Sequence, residues 1–129
     1  MSYQVTRDQN GMPNLILSGE PAYCHALGAN VKVPEPEIGT GQWLLMAFAV
    51  WSAPDVAAVQ VALDLARSLG GKLNLGLRPY DDLDELREWY PGITLEGNGP
   101  FWILLRDGVV CQYRTGIFTT DELRGAISP

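Results

Sequence analysis

The sequence predicts an α/β fold, a mixed β-sheet with helices on both faces, preceded by an N-terminal β-hairpin extension. Three observations carry this. Residues 43–50, WLLMAFAV, are apolar at every position, the pattern of a central strand covered on both sides. Residues 54–69 then place Val56, Val59, Leu63 and Ala66 on one helical face, with Gln60, Asp64 and Arg67 as polar interruptions. Lys72 to Arg78 returns as a strand with Leu73, Leu75 and Leu77 on one side. A strand–helix–strand unit of this kind is parallel and right-handed.

The other elements follow in order. Tyr3, Val5 and Arg7 alternate with Gln4 and Thr6, Asn10-Gly11 signals a tight turn, and Leu15-Ile16-Leu17 returns as a second short strand. Pro13 makes one side of that hairpin an edge or a loop. Residues 18–41 hold one expected helical turn, Ala22 to Leu27, and then a loop through Val33-Pro34-Glu35-Pro36. No domain boundary is expected: residues 1–41 form a hairpin and loop extension packed on the same domain as residues 42–129.

Gly70-Gly71 ends the long helix. Asp81 to Tyr90 reads as a short acidic helix with Leu83 and Leu86 inward, stopped by Pro91-Gly92. Phe101 to Leu105 is a strand, Asp107-Gly108 a hairpin turn, and Val109 to Arg114 its antiparallel partner. Thr119 and Glu122 form a capping box for a last helix carrying Leu123, Ala126 and Ile127. From residue 42 the order is therefore β-α-β-α-β-β-α.

A chain of 129 residues suits one domain. Its net charge of −6 disfavours nucleic acid and anionic membrane, which reward clustered Lys and Arg, and favours a protein partner. The N-terminus MSYQVTRDQNG has no basic segment followed by an apolar core, so no secretory signal is expected. No run reaches the ~18 apolar residues of a membrane span, and the expected location is cytoplasmic. One histidine, two separated cysteines and scattered carboxylates give no metal-ligand spacing. Gly39-Thr40-Gly41 precedes a strand rather than a helix, so it is no phosphate loop. Neither metal nor cofactor is expected.

From about Trp43 to Ile127 the order of elements and punctuating residues resembles thioredoxin. That family carries Trp-Cys-Gly-Pro-Cys after a central strand; here the matching stretch is Trp51-Ser52-Ala53-Pro54-Asp55. The family's cis-proline matches Pro100 in NGPFWILL, its hairpin glycine Gly108, and a later glycine Gly116 in YRTG. The resemblance makes residues 42–129 a thioredoxin-like domain. The departures from the family are coherent. Ser52 stands in place of the nucleophilic cysteine and Asp55 in place of the resolving one. The family's buried aspartate falls on Met46 and its partner lysine on Leu77. A buried carboxylate is costly to keep, and without the thiols no dithiol chemistry offsets that cost. The resemblance thus implies a redox-inactive member with no catalytic residues.

Beside the motif the family has an exposed apolar groove that takes extended peptides. Carried onto this chain, that groove comprises Trp51, Ser52, Ala53, Pro54, Asp55, Gly99, Pro100 and Gly116. The implied function is protein binding, as an adaptor, assembly factor or chaperone, and not enzymatic. Gly99 departs from the family's usual larger residue. The alternative from another class is a thiol-dependent reductase or transferase using Cys24, which lies beside His25 in an expected loop. Cys111 is expected to be a buried, inert thiol on the face of Val109 and Tyr113. A homodimer formed through the N-terminal hairpin is a third reading.

Ser52-x-x-Asp55 also has the form of a capping box. The Ser52 oxygen can accept from the N–H of residue 55, the Asp55 carboxylate can reach back, and Pro54 sits in the first turn where its missing N–H costs nothing. A serine nucleophile would need a base within reach and an oxyanion site. The sole histidine, His25, lies in the N-terminal segment.

Overall fold

A computed structural model of the chain describes residues 3–27, 40–89 and 99–127. Its strands are β1 (Tyr3–Arg7), β2 (Pro13–Leu17), β3 (Cys24–Ala26), β4 (Gln42–Ala49), β5 (Asn74–Tyr80), β6 (Phe101–Arg106) and β7 (Val109–Thr115). The helices are α1 (Ala53–Ser68), α2 (Leu83–Trp89) and α3 (Thr120–Ile127). The loop expected through Val33–Pro36 and the stop expected at Pro91-Gly92 lie outside the described residues.

A five-stranded mixed sheet runs in the order β3-β5-β4-β6-β7. β3, β4 and β5 are parallel, and β6 and β7 are antiparallel to their neighbours. β4 lies at the centre and is buried along nearly all its length, which is why it is apolar throughout. On one face, α1 and α3 cover Leu44, Met46, Phe48, Leu77 and Trp102. On the other, α2 packs Leu86 and Trp89 against Trp43, Leu45, Tyr80 and Ile103. Among the described residues no helix is long and apolar enough to cross a membrane.

Three local features depart from the sequence expectations. The segment expected as a helical turn at Ala22–Leu27 is instead β3, a strand on the edge of β5. Leu75 donates its N–H to Tyr23 O at 2.8 Å, and Leu27 donates to Leu77 O at 2.8 Å. A single helical turn gains little by itself, whereas the open edge of β5 must find partners for its backbone groups. The strand expected at Lys72–Arg78 is displaced to Asn74–Tyr80. Pro79 lies beyond the β3 pairing, which ends at Leu77, so among the described residues β5 is flanked at that point by β4 alone.

The third departure is Cys111, which is exposed rather than buried. β7 is an edge strand, and its pairing slips. Leu104 opposes Gln112 while Leu105 opposes Val110, so Cys111 is an extra residue in a bulge. Val109, expected on an inward face with it, is 65% exposed.

The N-terminal hairpin forms its own two-stranded sheet. Its connection is a loop of residues 8–12 rather than a two-residue turn. Asp8 Oδ1 accepts from the N–H groups of Asn10 and Met12, and Gly11 supplies the positive φ of 77°. Leu15 is buried in the α1-side core, with Tyr3, Val5 and Leu17 packed against it. Tyr3 donates its hydroxyl to Val56 O at 3.1 Å, tying β1 to the first turn of α1.

Two buried positions show what the sheet demands. A Cβ on Gly76 would lie 2.7 Å from Leu27 Cδ1 and 2.8 Å from Leu45 Cδ2, which accounts for a glycine in mid-strand. Arg78 is 1% exposed. Its guanidinium lies 5.8 Å from the Trp89 ring centre, and burial pulls its pKa down.

Candidate functional site

The chain leaves β4 through Val50 and Trp51 and enters α1 at Ala53. Ser52 is the cap: its backbone is extended (φ −105°, ψ 113°) and its Oγ accepts the N–H of Asp55 at 3.4 Å. Asp55 is buried, 6% exposed. Its carboxylate reaches back beyond the cap, with Oδ2 accepting the N–H of Ala49 at 2.9 Å and Oδ1 accepting the Ser52 hydroxyl at 3.2 Å. The Ser52 N–H turns instead to Ala49 O at 3.2 Å. The predicted box is present in modified form, and it fastens the end of β4 to the start of α1.

Trp51 is 73% exposed, yet fixed: its indole N–H donates to Asp81 O at 2.8 Å. Asp81 is held in turn. Its carboxylate accepts both Nη atoms of Arg7, at 2.8 and 2.9 Å, and its own N–H donates to Glu85 Oε2 at 2.6 Å. The Arg7 guanidinium holds the Asp81 carboxyl below the usual carboxylate range. The hairpin thereby reaches the rim of the site, a link that sequence periodicity does not reveal.

Opposite α1, the Gly99–Pro100 peptide is cis, and Pro100 O accepts the N–H of Gly116 at 3.0 Å. Gly116 has a φ of 108° and accepts the Trp102 indole N–H at 2.8 Å. A Cβ on Gly99 would lie 3.0 Å from Asp55 Oδ2 and 3.1 Å from the Tyr80 hydroxyl. A side chain at this position would press on both oxygens. Burial, then Asp55 and Tyr113, push the Tyr80 phenol up to about 12.

Between these elements lies a pocket of about 290 Å³. Of the predicted groove residues, Trp51, Ser52, Pro54, Asp55 and Gly99 line it. Ala53 faces solvent, Pro100 is buried beside it, and Gly116 holds the ends of β6 and β7 together. Ala49, Tyr80 and Ile117 also line it and are not among the groove residues the sequence suggests. Ile117 is 57% exposed, so with Trp51 it forms an apolar rim.

The other candidates lie elsewhere. Cys24 is buried in β3 rather than placed in a loop, and burial, then Glu20, push its thiol up to about 11. The adjacent His25 packs on Trp43, with ring centres 4.9 Å apart, and is not among the residues lining the pocket. Met46 and Leu77, where the resembling family keeps a buried charged pair, are register partners on adjacent strands and both fully buried.

No family model and no curated protein sequence matches the chain. Solved structures do. Thioredoxin-2 of the malaria parasite, a component of that organism's protein secretion machinery, superposes with a TM-score of 0.58 at 17% identity, over 67% of this chain and 81% of its own. A second malarial protein superposes with a TM-score of 0.52 at 19% identity, over 68% of this chain and 94% of its own. The chain has a thioredoxin-like α/β fold with an N-terminal antiparallel hairpin added.

Proposed function

We propose that this thioredoxin-fold chain is a redox-inactive protein-binding factor, an adaptor, assembly factor or chaperone, that works through the Trp51 face without a thiol step. One observation carries the reading. Where the fold's dithiol would sit, the pocket is lined by Ser52 and Asp55 and by no cysteine, while Trp51 stands exposed and anchored beside it. An exposed tryptophan next to Pro54 and Ile117 is the kind of aromatic anchor that protein interfaces favour. Its hydrogen bond to Asp81 lowers the ordering cost of binding.

The rival reading, thiol chemistry at Cys24, finds no support in a buried thiol with a raised pKa, since the thiolate is the nucleophile. An insulin-reduction assay separates the two. Wild type is expected to show no turnover above background. Turnover that vanishes in Cys24→Ser contradicts the proposal. Partner capture by wild type and loss by Trp51→Asp tests the binding half.

A further inference from the structure

The pocket beneath Trp51 holds a buried carboxylate that no cationic side chain meets among the described residues. Asp55 is 6% exposed, and among the described residues its carboxylate is met only by neutral donors, the Ala49 N–H at 2.9 Å and the Ser52 hydroxyl at 3.2 Å. A carboxylate offers about four acceptor positions, so capacity remains. Among the described residues no lysine or arginine lines the pocket. Buried charges are as a rule paired.

Tyr80 is the second, independent observation. It is 4% exposed, it lines the same pocket, and no hydrogen bond among the described residues engages its hydroxyl. That hydroxyl and Asp55 Oδ2 converge on Gly99, standing 3.1 and 3.0 Å from where a Cβ would be. Glycine keeps the space between the two oxygens clear of a side chain. Trp51, Pro54 and Ile117 supply apolar walls.

We propose that this pocket receives the ammonium group of a lysine side chain presented by a partner protein. The proposal deepens the reading of the Trp51 face as the partner-binding face and rests on it. An ammonium brings three donors, which suit the Asp55 carboxylate, the Tyr80 hydroxyl oxygen and the Ser52 hydroxyl oxygen. Its aliphatic stem covers the apolar walls, and the Trp51 ring attracts the cation. The source is a protein rather than a free amine because a small amine leaves the Trp51 and Ile117 rim wet, whereas a polypeptide carrying the lysine covers it.

The test is an NMR titration of ¹⁵N-labelled protein with acetyl-Gly-Lys-Gly-amide and with the same peptide acetylated at Nε. The lysine peptide is expected to give saturable shifts at Ser52, Asp55, Gly99 and the Trp51 indole. The acetylated peptide should bind weaker by about tenfold or more, since hydrogen bonds to charged groups are the stronger ones. Tyr80→Phe and Asp55→Asn should each weaken the lysine peptide. The acetyl comparison uses unaltered protein, so it decides the matter even where Asp55→Asn fails to fold. Equal binding of the two peptides, or no saturable shift at millimolar peptide, overturns the lysine assignment. Partner capture that still depends on Trp51 would then leave the binding face standing. Preferential binding of the lysine peptide with Trp51-independent capture would remove the binding face as the partner site instead.

Discussion

The indole N–H of Trp51 donates to the backbone carbonyl of Asp81 at 2.8 Å, and Asp81 is itself gripped by both Nη atoms of Arg7. An exposed aromatic beside the β4–α1 turn is thus positioned by a residue of the N-terminal hairpin. Arg7→Ala should therefore shift the Trp51 indole resonance and speed its hydrogen exchange. The denaturation midpoint should barely move, because the ion pair is exposed. An unchanged indole signal contradicts the link.

The same link has a pH dependence. Arg7 holds the Asp81 carboxyl below its usual range, so the pair is intact above that range and is lost only as pH falls through the depressed folded value. The Trp51 indole resonance should stay constant from neutral pH down through the ordinary carboxylate range and move below it. Movement that begins within or above the ordinary range is the contrary result.

Ser52 both accepts the Asp55 N–H and donates to its buried carboxylate. Ser52→Ala should lower stability by about 0.5–2 kcal/mol, the range of a lost helix cap. An unmoved midpoint in urea would remove Ser52 from the cap.

Gly99→Ala places a methyl group 3.0 Å from Asp55 Oδ2 and 3.1 Å from the Tyr80 hydroxyl. It should cost about 1–3 kcal/mol, as overpacking does, and reduce partner binding with it. Wild-type stability and wild-type binding together contradict the packing described.

The two thiols should behave oppositely. Cys111 is exposed in a bulge and should react at once with a disulfide reagent, whereas Cys24 should react only on unfolding. The folded values of Cys24 (about 11) and Tyr80 (about 12) are both raised. Their contribution is full below the unfolded values and is lost as pH rises through the folded ones. The urea midpoint should therefore fall on the alkaline side, and less steeply in Cys24→Ala. Rapid reaction of both thiols in the native protein argues against this.

The strongest patterns in the sequence lead directly to the structure. β4 is legible because burial on both faces demands an apolar residue at every position. α1 is legible from its period and its cap, and the cis Gly99–Pro100 peptide stands where the thioredoxin resemblance places it. What escaped depends on contacts distant in sequence. β3 has only three residues, too few for a period, and forms because β5 has an edge to fill. Cys111 looks inward by alternation, but a bulge on the edge strand breaks that alternation. Tyr80 was missed because the strand was ended at Arg78. Carried two residues further, it puts Tyr80 at the C-terminal end of a parallel strand, where α/β sheets build their sites. The Arg7–Asp81 pair spans 74 residues, and no local spacing announces it.

The central claim is that the Trp51 face binds a partner protein. Capture from the source lysate by wild type and by Trp51→Asp, read by mass spectrometry, tests it most directly. Trp51 is 73% exposed, so the substitution should leave the fold intact. The account predicts a protein retained by wild type and lost by Trp51→Asp. The same protein retained equally by both would contradict it.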